Sequence, residues 1–211
     1  MQQEITVSVA LAAAVLYLPL SHRAPDAMRS AVKTAPAALF AALAWGAGAP
    51  GLLAGALALS ALGDLALSRA GERAFLVGLG AFALGHLCYL GLFAGAVGGV
   101  PLWPALVLVG LAGSTEIWLA PHTGALRAPV RIYVVLICAM GLAAAGLPGE
   151  ARLATLGAAL FLASDVILAV QLFRMAPGTA AARGAGWALW ALYVGGQALI
   201  LFAFLPPPAL S

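Results

Sequence analysis

The sequence predicts an all-α fold, a polytopic bundle of membrane helices, and three observations carry that reading. First, 64% of the 211 residues are hydrophobic and only 8% are charged, with a mean hydropathy of +1.07. A soluble domain carries roughly 25% charged residues. Second, the apolar residues fall into long runs suited to helical spans of about 20 residues, without the alternation of a membrane barrel. Third, the basic residues are distributed among the breaks between those runs in a strict alternation. The net charge of +3 therefore reports orientation in a membrane, not a nucleic-acid partner.

Eight runs follow in order, at roughly 4–20, 33–48, 50–68, 74–97, 101–119, 129–147, 151–174 and 184–205. The breaks carry Pro, Gly or charge, as at His22–Asp26, Arg69–Arg73, Pro121–Pro129 and Ala176–Arg183. The second and third runs meet at Pro50, which demands a tight hairpin. Arg23, Arg29 and Lys33, then Arg69 and Arg73, then Arg127 and Arg131, then Arg174 and Arg183 occupy alternate breaks. Of the 10 Lys and Arg only Arg152 lies on the other side. By the positive-inside rule this predicts eight transmembrane helices in one integral-membrane domain, 1–211, with both termini extracytoplasmic. The first run has no basic residue before it and reads as a retained span, not a cleaved leader. The expected location is a cell membrane, crossed many times, of the bacterial inner-membrane kind.

Charge is scarce, so each polar residue inside a run needs a reason. Asp64 has Ser60 and Ser68 four residues to either side, a polar stripe on one helical face. It lies near the cytoplasmic end of the third run, where a tie to Arg69 or Arg73 would account for it. Asp165 sits near the middle of the seventh run, where a carboxylate costs about 2.5–3.5 kcal/mol on insertion scales. It is expected to face the bundle or a wet cavity. His86 and Tyr89 share a face with Phe82, and Tyr193 and Gln197 share one with Trp190. Tyr133, Lys33 and Arg131 enter from the basic side, where Lys33 or Arg131 could hold a phosphate. Glu116 reads as a carboxylate paired to a loop or snorkelling to the interface.

Cys88 and Cys138 read as buried thiols, and no cluster has metal-ligand spacing. No nucleophile elbow, zinc-protease motif or phosphate loop occurs. Gly78, Gly80 and Gly85 lack the dinucleotide spacing, and no strand precedes them. They read, with Gly91 and Gly95, as sites of close helix packing. One faint echo links Ser60–Leu67 (SALGDLAL) to Phe161–Leu168 (FLASDVIL), four runs later and in the same direction.

Read in order, Lys33-Thr-Ala-Pro36, Leu62-Gly-Asp64-Leu, Phe75-Leu-Val-Gly78-Leu with Ala81-Phe82-x-x-x-His86-x-x-Tyr89, Ala159-x-Phe161-x-x-Ser164-Asp165 and Tyr193-x-x-x-Gln197 resemble the YhhN, or lysoplasmalogenase, family of multi-span membrane proteins. The resemblance implies a hydrolase that cleaves the vinyl ether bond of a lysoplasmalogen. Its products would be a fatty aldehyde and glycerophospho-ethanolamine or -choline. It implies Asp64 and Asp165 as catalytic carboxylates, with Lys33, His86, Tyr89, Tyr133, Tyr193 and Gln197 around the substrate. A lysophospholipid and membrane lipid are the partners it implies, with no cofactor, metal or nucleic acid.

Vinyl ether hydrolysis needs a protonated acid and a negative group near the developing cation, which two unlike carboxylates supply. Depth along the runs makes Asp165 the less solvated and the general acid, and Asp64, nearer water, the ionised partner. The reverse assignment stays open, since coupled carboxylates share their titration. Histidine and tyrosine at 86 and 89 are expected behind the carboxylates. The competing reading is a small proton-coupled transporter using the same two aspartates as relays.

Overall fold

The computed structural model describes residues 2–206. These form eight α-helices: α1 (Gln2–Leu20), α2 (Ala27–Gly46), α3 (Gly51–Leu67), α4 (Glu72–Ala94), α5 (Leu102–Trp118), α6 (Arg127–Ala145), α7 (Arg152–Arg174) and α8 (Ala180–Phe204), with three short 3-10 turns. Each helix covers one of the eight apolar runs. Six of them, α1 and α4 to α8, are long and apolar enough to cross a membrane; α3 is apolar but shorter, and α2 is not among the six. Large side chains such as Trp103, Val109 and Ile117 lie 69–81% exposed on the bundle exterior. Lipid accommodates such a surface, and water does not.

Helix starts differ from run starts, for a local reason. Asp26 caps α2, its Oδ1 accepting the Arg29 backbone N–H at 2.6 Å. The helix therefore begins six residues before the apolar run, and Arg29 and Lys33 belong to its first two turns, not to a loop. Thr179 does the same for α8, accepting from the Ala182 N–H at 3.2 Å, which draws Arg183 into the helix. The hairpin at Pro50 is as tight as expected, with α2 ending at Gly46 and α3 starting at Gly51.

Consecutive helices pack within each half of the chain, α1 on α2 on α3 on α4 and α5 on α6 on α7 on α8, and the halves meet through α2–α8 and α4–α6. Exchanging the halves maps each of these contacts onto another. That is the arrangement of a parallel four-helix repeat, and the echo around the two aspartates falls on the equivalent helices α3 and α7. Lesser contacts of α8 with α1 and α3 break the symmetry. The closest approach is between α7 and α8, where a Cβ on Gly157 would lie 2.6 Å from the Gly196 carbonyl oxygen. Gly157→Ala must push backbone from backbone, so it should lower the melting temperature in detergent, by about 1–3 kcal/mol of stability. Gly113→Ala, with open space around it, is the control expected to change nothing.

Candidate functional site

The two aspartates sit in separate polar clusters. Asp64 Oδ2 accepts from the Tyr193 hydroxyl at 2.7 Å, and Lys33 Nζ lies 3.6 Å from Oδ1. Asp165 Oδ2 accepts from the Tyr133 hydroxyl at 2.7 Å, with His86 Nε2 3.4 Å from the same oxygen. The clusters correspond under the exchange of halves. Each carboxylate, on α3 or α7, takes one partner from the second helix of its own half (Lys33 on α2, Tyr133 on α6). The other partner comes from the last helix of the opposite half (Tyr193 on α8, His86 on α4).

An aromatic wall stands between them. The Phe161 ring is 5.3 Å from Tyr193 and 4.8 Å from His86, edge to face in both cases. Phe82 meets Tyr193 at 5.8 Å and Phe161 at 6.4 Å, a spacing at which edge-to-face pairs attract. Gly63, next to Asp64, makes room for Phe82: a Cβ there would lie 2.6 Å from Phe82 Cε2. On the Asp165 side of this wall is an apolar cavity with about 770 Å³ of empty space, part of it open to the outside. Phe75, Phe82, Thr115, Tyr133, Leu162 and Asp165 line it.

Asp64 is not among the residues lining this cavity, and the expected order of solvation is reversed. Asp64 is 2% exposed, while the Asp165 side chain is 13% exposed. Position along a helix sets depth, but the facing helix sets burial, and α2 and α8 cover Asp64. Nor does Asp64 pair with Arg69, exposed in the following loop, or with Arg73, exposed in the first turn of α4; Lys33 takes that place. His86, expected behind the carboxylates, is in direct contact with Asp165.

The remaining expected residues divide. Tyr89 is fully buried, stacked with Phe93 at 5.9 Å and edge-on to Phe161 at 6.3 Å. Its contacts run to that wall, not to a carboxylate, and its hydroxyl has no partner among the described residues. Gln197, 1% exposed, lies one turn beyond Tyr193 on the same face of α8, close to its hydroxyl. Trp190 ties α8 to α1, its indole donating to the Ala14 carbonyl at 2.9 Å. Glu116 pairs with Arg131, whose Nε donates to it at 2.7 Å, and with Arg127 at 3.8 Å. Arg131 is thereby engaged and offers less to a phosphate than expected. Cys88 and Cys138 are free thiols, and no metal-binding group of His, Cys, Asp or Glu occurs among the described residues.

Two features escaped the sequence reading. One is the separation of the aspartates by Phe82 and Phe161, which depends on packing between distant helices. The other is Arg29, one turn before Lys33 on the same face of α2; recognising Asp26 as a helix cap would have placed it there. No curated protein and no solved structure matches this chain. The YhhN family model matches residues 28–204, which takes in every residue of both clusters, and the chain belongs to the YhhN family.

Proposed function

We propose that the protein is a lysoplasmalogenase-like membrane hydrolase that cleaves the vinyl ether of a lysoplasmalogen by acid catalysis. The observation that carries this reading is the unlike setting of the two carboxylates. Asp165 lines an apolar cavity and has only a phenol and an imidazole as partners, whereas Asp64 is held against an ammonium group. The carboxyl that lines the cavity can reach a carbon of a chain bound there, and the one held against Lys33 behind the aromatic wall acts on that chain only through its charge. Asp165 thus keeps the role of general acid, on different grounds from depth alone.

In the proposed reaction Asp165 gives its proton to the β-carbon of the vinyl ether. The double-bond electrons form the new C–H bond, and the ether oxygen stabilises the resulting oxocarbenium ion. The Asp64 carboxylate lowers the energy of that cation through its field. Water adds to the cationic carbon and returns a proton to Asp165. The hemiacetal then collapses: its hydroxyl gives up a proton as the C=O bond forms and the C–O bond to glycerol breaks, the glycerol oxygen takes the proton held by Asp165 and Asp165 regains the hydroxyl's, to give a fatty aldehyde and glycerophospho-ethanolamine or -choline. The apolar lining of the cavity suits an aliphatic chain.

The same reading has all eight helices crossing the membrane, α2 and α3 included, with both termini outside; the alternation of basic residues between the two ends supports it. Purified protein in detergent, given lysoplasmenyl-ethanolamine and followed by mass spectrometry, should release fatty aldehyde over many turnovers. The saturated 1-alkyl analogue should remain intact. Absence of aldehyde sinks the hydrolase reading, and uptake of lipid into proteoliposomes without product would favour a transporter.

A further inference from the structure

The charges around Asp64 do not balance. Arg29 and Lys33 stand one turn apart on α2, on the face that meets α3, and among the described residues the one carboxylate packed between α2 and α3 is Asp64. Arg29 is half-buried, and no carboxylate among the described residues lies within ion-pairing reach of its guanidinium. Its contacts are long and to neutral oxygens, each at 3.4 Å: the Ser68 carbonyl, the Ser21 carbonyl and the Tyr17 hydroxyl. Its buried Nε has no hydrogen-bond partner among the described residues. Asp26, the nearest acid in sequence, is exposed and committed to capping the helix.

This placement is unfavourable for a lone cation. Arg29 lies in the first turn of α2, where the helix dipole is already positive, with Lys33 one turn away. A guanidinium there is more at home with an anion, and its planar donor fork matches phosphate oxygens. The fork is also held in place. Ser68 Oγ donates to Ser30 Oγ at 2.8 Å, pinning the end of α3 to the start of α2. Tyr17, its ring tilted against Trp190 at 4.5 Å, lies under the guanidinium, 5.9 Å from ring centre to Cζ. Its hydroxyl accepts from Arg29 and has a proton to give.

We infer that Arg29, flanked by Lys33 and the Tyr17 hydroxyl, is a phosphate site for the head group of a single-chain phospholipid. The inference rests on the proposed reading of the site and extends it to the other side of the aromatic wall. Arg29 to Lys33 is four residues of helix, about 6 Å, and the Lys33 ammonium meets Asp64. A phosphate on Arg29 therefore places the glycerol carbons alongside Lys33 and the sn-1 oxygen near the level of Asp64. The tail would continue past Phe82 into the apolar cavity. The two halves differ accordingly: on α2 Arg29 has no acid within ion-pairing reach among the described residues, while on the equivalent α6 Arg127 and Arg131 are both paired with Glu116 and Tyr133 faces an apolar space. An amphiphile with one phosphate and one chain matches that division.

The test is equilibrium binding to the full chain in maltoside detergent, by calorimetry. The probes are 1-O-hexadecyl-lysophosphatidylethanolamine, which has no vinyl ether to cleave, its phosphate-free counterpart 1-O-hexadecylglycerol, diacyl phosphatidylglycerol and inorganic phosphate. Arg29→Gln should weaken the lysolipid by about 10- to 100-fold, the range for charge-assisted hydrogen bonds, and leave hexadecylglycerol unchanged. Arg29→Lys, which keeps the charge without the fork, should fall between.

Equal loss for both lipids would make Arg29 merely structural, and no loss for either would also overturn the site. Arg29-dependent binding of the diacyl lipid at matching affinity would overturn the single-chain assignment, and the same result with inorganic phosphate would overturn the lipid assignment. Because the probes are not cleaved, failure of aldehyde release would remove the hydrolase reading and leave this one standing.

Discussion

Asp165→Asn is expected to lower kcat on lysoplasmenyl lipid by about a hundred- to ten-thousand-fold, the usual contribution of a positioned general acid. KM should change little. Asparagine has nearly the same shape, and its Oδ1 can still accept from the Tyr133 hydroxyl, now at 2.7 Å from the aspartate. What it cannot do is deliver a proton to carbon. A fall in kcat and kcat/KM together, with KM steady, marks an interaction made in the transition state and not in the bound ground state. Tyr133→Phe is the graded companion. It removes one hydrogen bond, a net contribution of about 0.5–1.5 kcal/mol, so its loss of turnover should be near tenfold or less. Steady-state aldehyde release checks both, with melting temperature as the control for folding. If Asp165→Asn keeps turnover within tenfold of the parent, Asp165 is not the acid and the assignment must pass to Asp64.

How much of this was legible in the sequence depends on which contacts are local. The eight helices were, because span length and loop charge are properties of contiguous segments. Helix starts were not, because Asp26 and Thr179 cap helices whose first turns carry charge, and a search for apolar runs skips those turns. Asp64 and Asp165 stood out because a carboxylate in an apolar run is costly. Their partners did not, since Tyr193 reaches Asp64 across 129 positions of sequence and only packing brings α8 to α3. The solvation order was read wrongly for the same reason: a helix position fixes height in the bundle, but whether α2 lies over it is decided elsewhere. The echo between Ser60–Leu67 and Phe161–Leu168 was too short to carry weight alone. Matched helix contacts across the two halves give it meaning.

The second large effect concerns the Lys33–Asp64 pair, and it separates chemistry from stability. The Asp64 side chain is 3% exposed and that of Lys33 13%, so neither charge can turn to solvent when its partner is removed. Asp64→Asn leaves a buried ammonium uncompensated, and Lys33→Met leaves a buried carboxylate. Breaking a buried pair from one side costs about 3–5 kcal/mol, whereas replacing both members by neutral groups is often neutral or stabilising. Each single variant should therefore melt well below the parent in detergent. The double variant, Asp64→Asn with Lys33→Met, should recover most of that loss, a positive coupling that identifies the two groups as one unit. Activity should not follow stability. The double variant restores a neutral pair but no anion, so nothing offsets the oxocarbenium charge and turnover should stay as low as in Asp64→Asn. A double variant that regains both melting temperature and aldehyde release would show that Asp64 serves the fold alone, and the chemistry would then rest on Asp165 and its two partners.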